Sequence, residues 1–212
     1  MKKFSKILPL AIMVLLLGGC GKTTVEMTTI AIQKDGTIRH TMVEDFGEES
    51  VEALEKLMSE KAADYNNNNS AGAGGVTVDE VEAGDGVIRV VMTYPDAAAF
   101  DGFMNMDVVA VDPALRAPFF YGTVEDAYEQ GYDLEIEMHS SEDDSALQGK
   151  GDLLAMGKNR IIIYDSEMNL GAPVQISTQD ELLYISDNVA VAGKNVVEIA
   201  ETDELAYILL NG

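Results

Sequence analysis

What the chain has little of narrows its chemistry first. It has a single cysteine, Cys20, so it holds no intrachain disulfide, and its stability must come from packing. Lys and Arg number 14 against 37 Asp and Glu, a formal charge of −23 that repels nucleic acid and anionic headgroups. A nucleic-acid partner is therefore not expected. There are two histidines, His40 and His139, far apart and outside any HxxxH or HExxH spacing. Both read as structural residues, facing solvent or hydrogen-bonded, rather than as bases or ligands. No G-x-S-x-G elbow and no S-x-x-K occurs. Gly149-Lys150-Gly151 with Gly157 fits neither the dinucleotide fingerprint nor the P-loop, and reads as loop glycine. Tryptophan is absent, and the densest aromatic cluster is Phe119-Phe120-Tyr121, which beside Pro118 and Gly122 reads as a core anchor.

What is present begins at the amino terminus. Lys2, Lys3 and Lys6 precede an apolar run from Ile7 to Leu17, interrupted only by Pro9. That run is shorter than the roughly 20 residues that span a bilayer core, so it reads as a secretion signal rather than a permanent membrane helix. Gly18-Gly19 are small enough for a peptidase to accept an extended backbone. Leu17-Gly18-Gly19-Cys20 resembles the lipobox of bacterial lipoproteins. The resemblance implies diacylglyceryl attachment to the Cys20 sulfur and cleavage before it. Residues 1–19 would be the signal peptide and 20–24 a short lipidated tether. Such a protein sits on the extracytoplasmic face of the cell membrane, held by lipid, and its one thiol is no longer open to other chemistry. The signal holds three of the bases and none of the acids, so the mature charge is −26 rather than −23. Four or five extended residues reach only about 15–18 Å, which keeps the folded part close to the membrane. The face beside Val25 is accordingly expected to be poorer in Asp and Glu than the remaining surface.

About 190 mature residues, with ample apolar material, fit one large domain or two small intertwined ones. The expectation is an α+β fold over 25–212: an antiparallel, strand-rich domain with one long amphipathic helix, one or two short helices, and a mostly β C-terminal part. Strand, strand and helix alternate to about residue 139, and an all-β part runs from about 158 to 212. Val25 to Gln33 reads as a strand with Val25, Met27, Ile30 and Ile32 inward, turning at Asp35-Gly36 into Thr37 to Val43. Glu48 to Tyr65 has helical spacing in Val51, Leu54, Met58 and Tyr65, with Leu57 and Ala62 broadening the face. The asparagine-rich, glycine-rich stretch after Tyr65 reads as the loop that ends it. Val76 to Glu82 and Val87 to Tyr94 form a second hairpin, and Asp96 caps a short helix through Phe103. Val108 to Val111 reads as a short strand, Thr123 to Gln130 as a helix, and Tyr132 to Met138 as a strand. Ser140 to Gly151 reads as an exposed loop. Arg160 to Tyr164 is a nearly continuous apolar strand of the kind buried on both faces. Five further short runs, from Val174 to Leu210, complete the β part.

Several of these segments carry a wider likeness. Ile32-Gln33-Lys34-Asp35-Gly36, Val43-Glu44-Asp45-Phe46 and Asp64-Tyr65-Asn66 resemble the start of a group of uncharacterised lipoproteins from clostridia and related bacteria. Phe120-Tyr121-Gly122-Thr123-Val124, Gly131-Tyr132-Asp133, Tyr184 to Val189 and Ala206-Tyr207-Ile208-Leu209 are similar to that group as well. The likeness implies a location and a common fold; it brings no activity, cofactor or catalytic residue.

Candidate chemistry rests on carboxylates. Glu142, Asp143 and Asp144, beside Ser140, Ser141 and Ser145, offer oxygen ligands for Ca²⁺, without the D-x-D-x-D-G loop that would make a strong motif. Asp79, Glu80, Glu82 and Asp85 form a second acidic neighbourhood. The expectation is a membrane-anchored extracytoplasmic lipoprotein with no catalytic residues and no cofactor assigned, which binds an unknown protein or glycan or is associated with the envelope. The alternative is a carboxylate-based extracytoplasmic hydrolase acting on envelope polymer.

Overall fold

A computed structural model describes residues 27–45, 50–69, 74–84, 86–143, 145–169, 173–200 and 204–212. The Leu17–Cys20 signal, Val25 and Asp144 lie outside the described residues.

The chain opens with a hairpin, β1 (Thr28–Ile32) and β2 (Ile38–Asp45). Gly36 takes φ 88°, and the Asp35 carboxylate accepts the Thr37 N–H at 3.0 Å, so the turn is the one its residues favour. Helix α1 (Val51–Asn68) starts at Ser50, whose hydroxyl accepts the Ala53 N–H. Ala62 and Tyr65 are buried and Val51, Leu54 and Met58 pack in part, but Leu57 is exposed, so the apolar face is narrower than its spacing predicts. The asparagine run begins inside this helix. The Asn66 side chain pairs both ways with the Val76 backbone (Nδ2–H to O 2.9 Å, N–H to Oδ1 2.8 Å), fastening the helix end to the next strand.

That strand, β3 (Thr77–Gly84), pairs with β4 (Val87–Tyr94). Asp96 then caps α2 (Ala97–Val111), which is a second long helix. The strand expected at Val108 to Val111 is its last turn. A four-residue run of three Val and one Ala has no periodicity of its own, and the helix simply continues through it. Beyond a 3-10 turn (Pro113–Leu115) come β5 (Phe119–Thr123) and α3 (Val124–Glu129). Thr123 and Asp126 form the reciprocal capping box of α3, and Gly131 at φ 87° follows its end. The strand expected over 132–138 is shorter and later: β6 (Glu137–Ser140). The loop expected from Ser140 to Gly151 contains β7 (Ala146–Gln148) and the start of α4 (Lys150–Ala155), with Gly151 helical. The remainder is β8 (Arg160–Tyr164), β9 (Val174–Ser177), β10 (Glu181–Ile185), β11 (Val189–Gly193), β12 (Val196–Ile199) and β13 (Ala206–Asn211).

The fold is therefore α+β and strand-rich, with thirteen strands and four α-helices among the described residues. Two sheets form. One runs β11-β12-β9-β1-β2-β4-β3 and the other β5-β8-β13-β10-β6-β7. Every pairing is antiparallel except β1 with β9. The chain passes between the sheets repeatedly: β9 joins the first, β10 the second, β11 and β12 the first, and β13 the second.

Period-two alternation in the second sheet explains the core. Ile162, Tyr164, Ala206, Ile208 and Leu210 belong to one buried cluster with the first sheet, α1 and α2. Their neighbours Ile161, Ile163, Tyr207 and Leu209 belong to another with α3 and α4. The second sheet is thus a middle layer, covered on both faces, as the unbroken apolar runs of β8 and β13 require. Phe119 and Phe120 anchor β5 in the two clusters respectively, so the aromatic triplet is core rather than a stacking surface.

Candidate functional site

One hollow lies where α2 meets the end of α1. Asp101 and Asn105 are one helical turn apart and both face the chain that returns from α2 to β5. The Asp101 carboxylate accepts the Phe119 N–H at 2.9 Å, the Asn105 amide at 3.3 Å, and an N–H of the Arg116 guanidinium. The Asn105 amide pairs both ways with the Ala117 backbone, donating to its oxygen at 2.8 Å and accepting its N–H at 3.0 Å. Both side chains are buried, and together they do for the return segment what a neighbouring strand would do. Arg116, next to a carboxylate that it hydrogen-bonds, is held above its ordinary pKa.

A hollow of about 400 Å³ opens beside this clamp, lined among others by Tyr65, Asn68, Asp101, Met106, Val109 and Arg116. Tyr65 closes one wall by crossing α2 at Gly102, where a Cβ would stand 2.6 Å from the phenol oxygen. Burial first, then the charges of Asp96 and Asp101, push the Tyr65 phenol up. The hollow offers guanidinium and amide donors above an apolar floor, a combination suited to holding a polar chain by hydrogen bonds. It is not arranged for acid–base work. Its carboxylate is committed to three donors, one of them a backbone N–H.

Two other hollows are shallower in chemistry. One of about 170 Å³ contains Glu142, Asp143, Glu181 and Ser140. Asp143 accepts the Ser145 N–H at 2.8 Å, and the Ser140 hydroxyl accepts the N–H groups of Glu142 and Asp143, both at 3.2 Å. Hydrogen bonds from Ser145 and then Ser140 hold the Asp143 carboxyl below the usual range. Glu142 and Asp143 thus share the rim of one hollow, while Asp144 lies outside the described residues. Among the described residues no group of three His, Cys, Asp or Glu side chains is arranged to hold a metal ion. The third hollow, about 460 Å³, lies between α3 and α4 and includes Tyr128, Leu154 and Lys158.

The other singled-out residues disperse. Asp79 accepts the Thr77 and Thr93 hydroxyls at 3.0 and 2.7 Å, bracing β3 against β4. His139 is an exposed residue of β6 with Nε2 2.7 Å from the Asp187 carboxylate, a surface role of the expected kind. His40 is a correction. It faces neither solvent nor, at Nδ1, any hydrogen-bond partner, and is 1% exposed in the apolar core. Inward strand positions pair it with Ile30 and Met92, so the pleat decides its burial whatever its polarity. The clamp of Asp101, Asn105 and Arg116 had no sequence motif; its one signal is an Asp and Asn four apart on a largely apolar helix.

Compared with known proteins, the chain matches no family model, no curated protein and no solved structure.

Proposed function

We propose that this protein is a lipoprotein, anchored through lipid on Cys20 to the extracytoplasmic face of the cell membrane, whose folded part binds a protein or glycan without catalysis. The observation that carries the reading is Leu17-Gly18-Gly19-Cys20, which puts the sole cysteine of the chain directly after a cationic start and an apolar run. The geometry supports the binding half. The clamp spends the buried carboxylate on structure and leaves donor groups of Arg116, Asn68 and Asn69 around an open hollow. Among the described residues no helix is long and apolar enough to cross a membrane.

Intact-mass analysis of protein purified from native membranes tests the anchor. The expected product begins at Cys20 and carries a diacylglyceryl group, and Cys20→Ser abolishes both cleavage and detergent-phase partitioning. An unmodified wild-type chain refutes the anchor. Co-purification from the same membranes tests binding, with Arg116→Glu expected to release the partner.

A further inference from the structure

The end of α2 and the 3-10 turn after it form an exposed apolar tip. All eight residues from Val108 to Leu115 are exposed, Val111 to 83% and Leu115 to 59%. Seven of the eight are Val, Ala, Pro or Leu, in a chain in which 24% of residues are charged. The charges at the tip are tied back. The Asp112 carboxylate accepts the Ala114 N–H at 2.9 Å, and Arg116 is paired with Asp101. An exposed, contiguous apolar surface of this kind marks an interaction site.

We propose that this tip seats in the bilayer that anchors the protein, which rests on lipid attachment at Cys20. Three observations choose a bilayer over a protein partner. Apart from Asp112 the tip is aliphatic, whereas the anchors of protein interfaces are dominated by Trp, Tyr and Arg. All of its residues are exposed at a helix end, Val111 to 83%, which suits a deformable apolar medium. Finally, the seven residue-to-residue steps from Cys20 to Met27 reach at most about 25 Å, less than the roughly 40 Å breadth of a domain of this size. The domain therefore stays against the membrane and must turn some face to it. In a chain with excess Asp and Glu, a tip that carries one Asp in eight residues is weakly repelled by an anionic surface.

The lack of tryptophan makes a clean test, since one introduced indole is the only one in the protein. Lipidated full-length protein carrying Val111→Trp or Leu115→Trp is reconstituted into phosphatidylcholine vesicles, with and without brominated acyl chains. Val191→Trp, on β11 at the opposite edge of the first sheet, serves as reference. Expected is a blue-shifted emission that loses intensity on brominated chains for the two tip positions and not for the reference. Adding Val111→Asp to Leu115→Trp should return the emission to the water-exposed value while the protein remains on the vesicles. Lipidated protein whose tip indoles stay water-exposed overturns the proposal and leaves the anchor standing. An unlipidated Cys20 overturns both. A blue shift that needs no vesicles and grows with protein concentration marks a second copy as the occupant, and also overturns it.

Discussion

The buried imidazole of His40 makes the protein sensitive to acid in a way that its carboxylates do not. It lies in β2 between Ile30 and Met92, edge-on to Phe100 at a centroid distance of 5.3 Å, with Nδ1 unpartnered. Burial alone pushes its pKa down from 6.5 to about 3. Between those values the unfolded chain binds a proton that the folded chain refuses. The contribution is therefore intact above the unfolded value and is lost as the pH falls toward the folded one, at about 1.4 kcal/mol per unit. At about pH 4.5, some two units into the window, the loss is about 2.7 kcal/mol. Carboxylates titrate there too, and relief of their mutual repulsion acts with the opposite sign. The comparison must therefore be with His40→Leu, which keeps the 37 acids and removes the imidazole. Urea unfolding followed by circular dichroism, at about pH 7.5 and about pH 4.5, should show the wild type losing about 2.7 kcal/mol more than the variant. Near neutrality the variant should equal the wild type or exceed it by up to about 1–3 kcal/mol, since an unpartnered buried nitrogen is gone. Equal losses in the two proteins would refute the reasoning.

Two further outcomes test the clamp and the crossing beside it. Asp101→Ala strands the buried Phe119 N–H and should cost about 2–3 kcal/mol in urea unfolding, whereas Asp101→Asn, which can still accept that N–H, should cost less. Gly102→Ala places a Cβ 2.6 Å from the Tyr65 hydroxyl but 3.3 Å or more from its ring carbons, so it should cost about 1–3 kcal/mol alone and distinctly less in a Tyr65→Phe background. Strict additivity in that cycle would mean that the hydroxyl is not the obstacle.

Local chemistry made much of the fold legible. Asp35-Gly36, the capping residues Asp96 and Thr123, and the apolar run of β8 each act through neighbours within a few residues, and each forms the turn, helix start or strand expected of it. What was not legible depends on partners distant in sequence. Val108 to Val111 has strand propensity but no strand beside it, so the helix that begins at Ala97 runs through it. Asn66 looks like loop composition until Val76 is brought against it. The hollow at Arg116 requires α1, α2 and the return segment at once, and no spacing in one segment records that.

The position of β13 has a consequence for how the molecule assembles. The last strand of the chain lies between β8 and β10, in the interior of the middle layer, and its Ile208, Leu209 and Leu210 are fully buried. Until those residues are available, β8 and β10 have no partner on that side, and two buried clusters lack a wall. Folding therefore cannot finish on the earlier strands alone; the closing step waits for Ala206–Asn211. A chain cut short by a dozen residues would lose the keystone between two strands rather than a fringe.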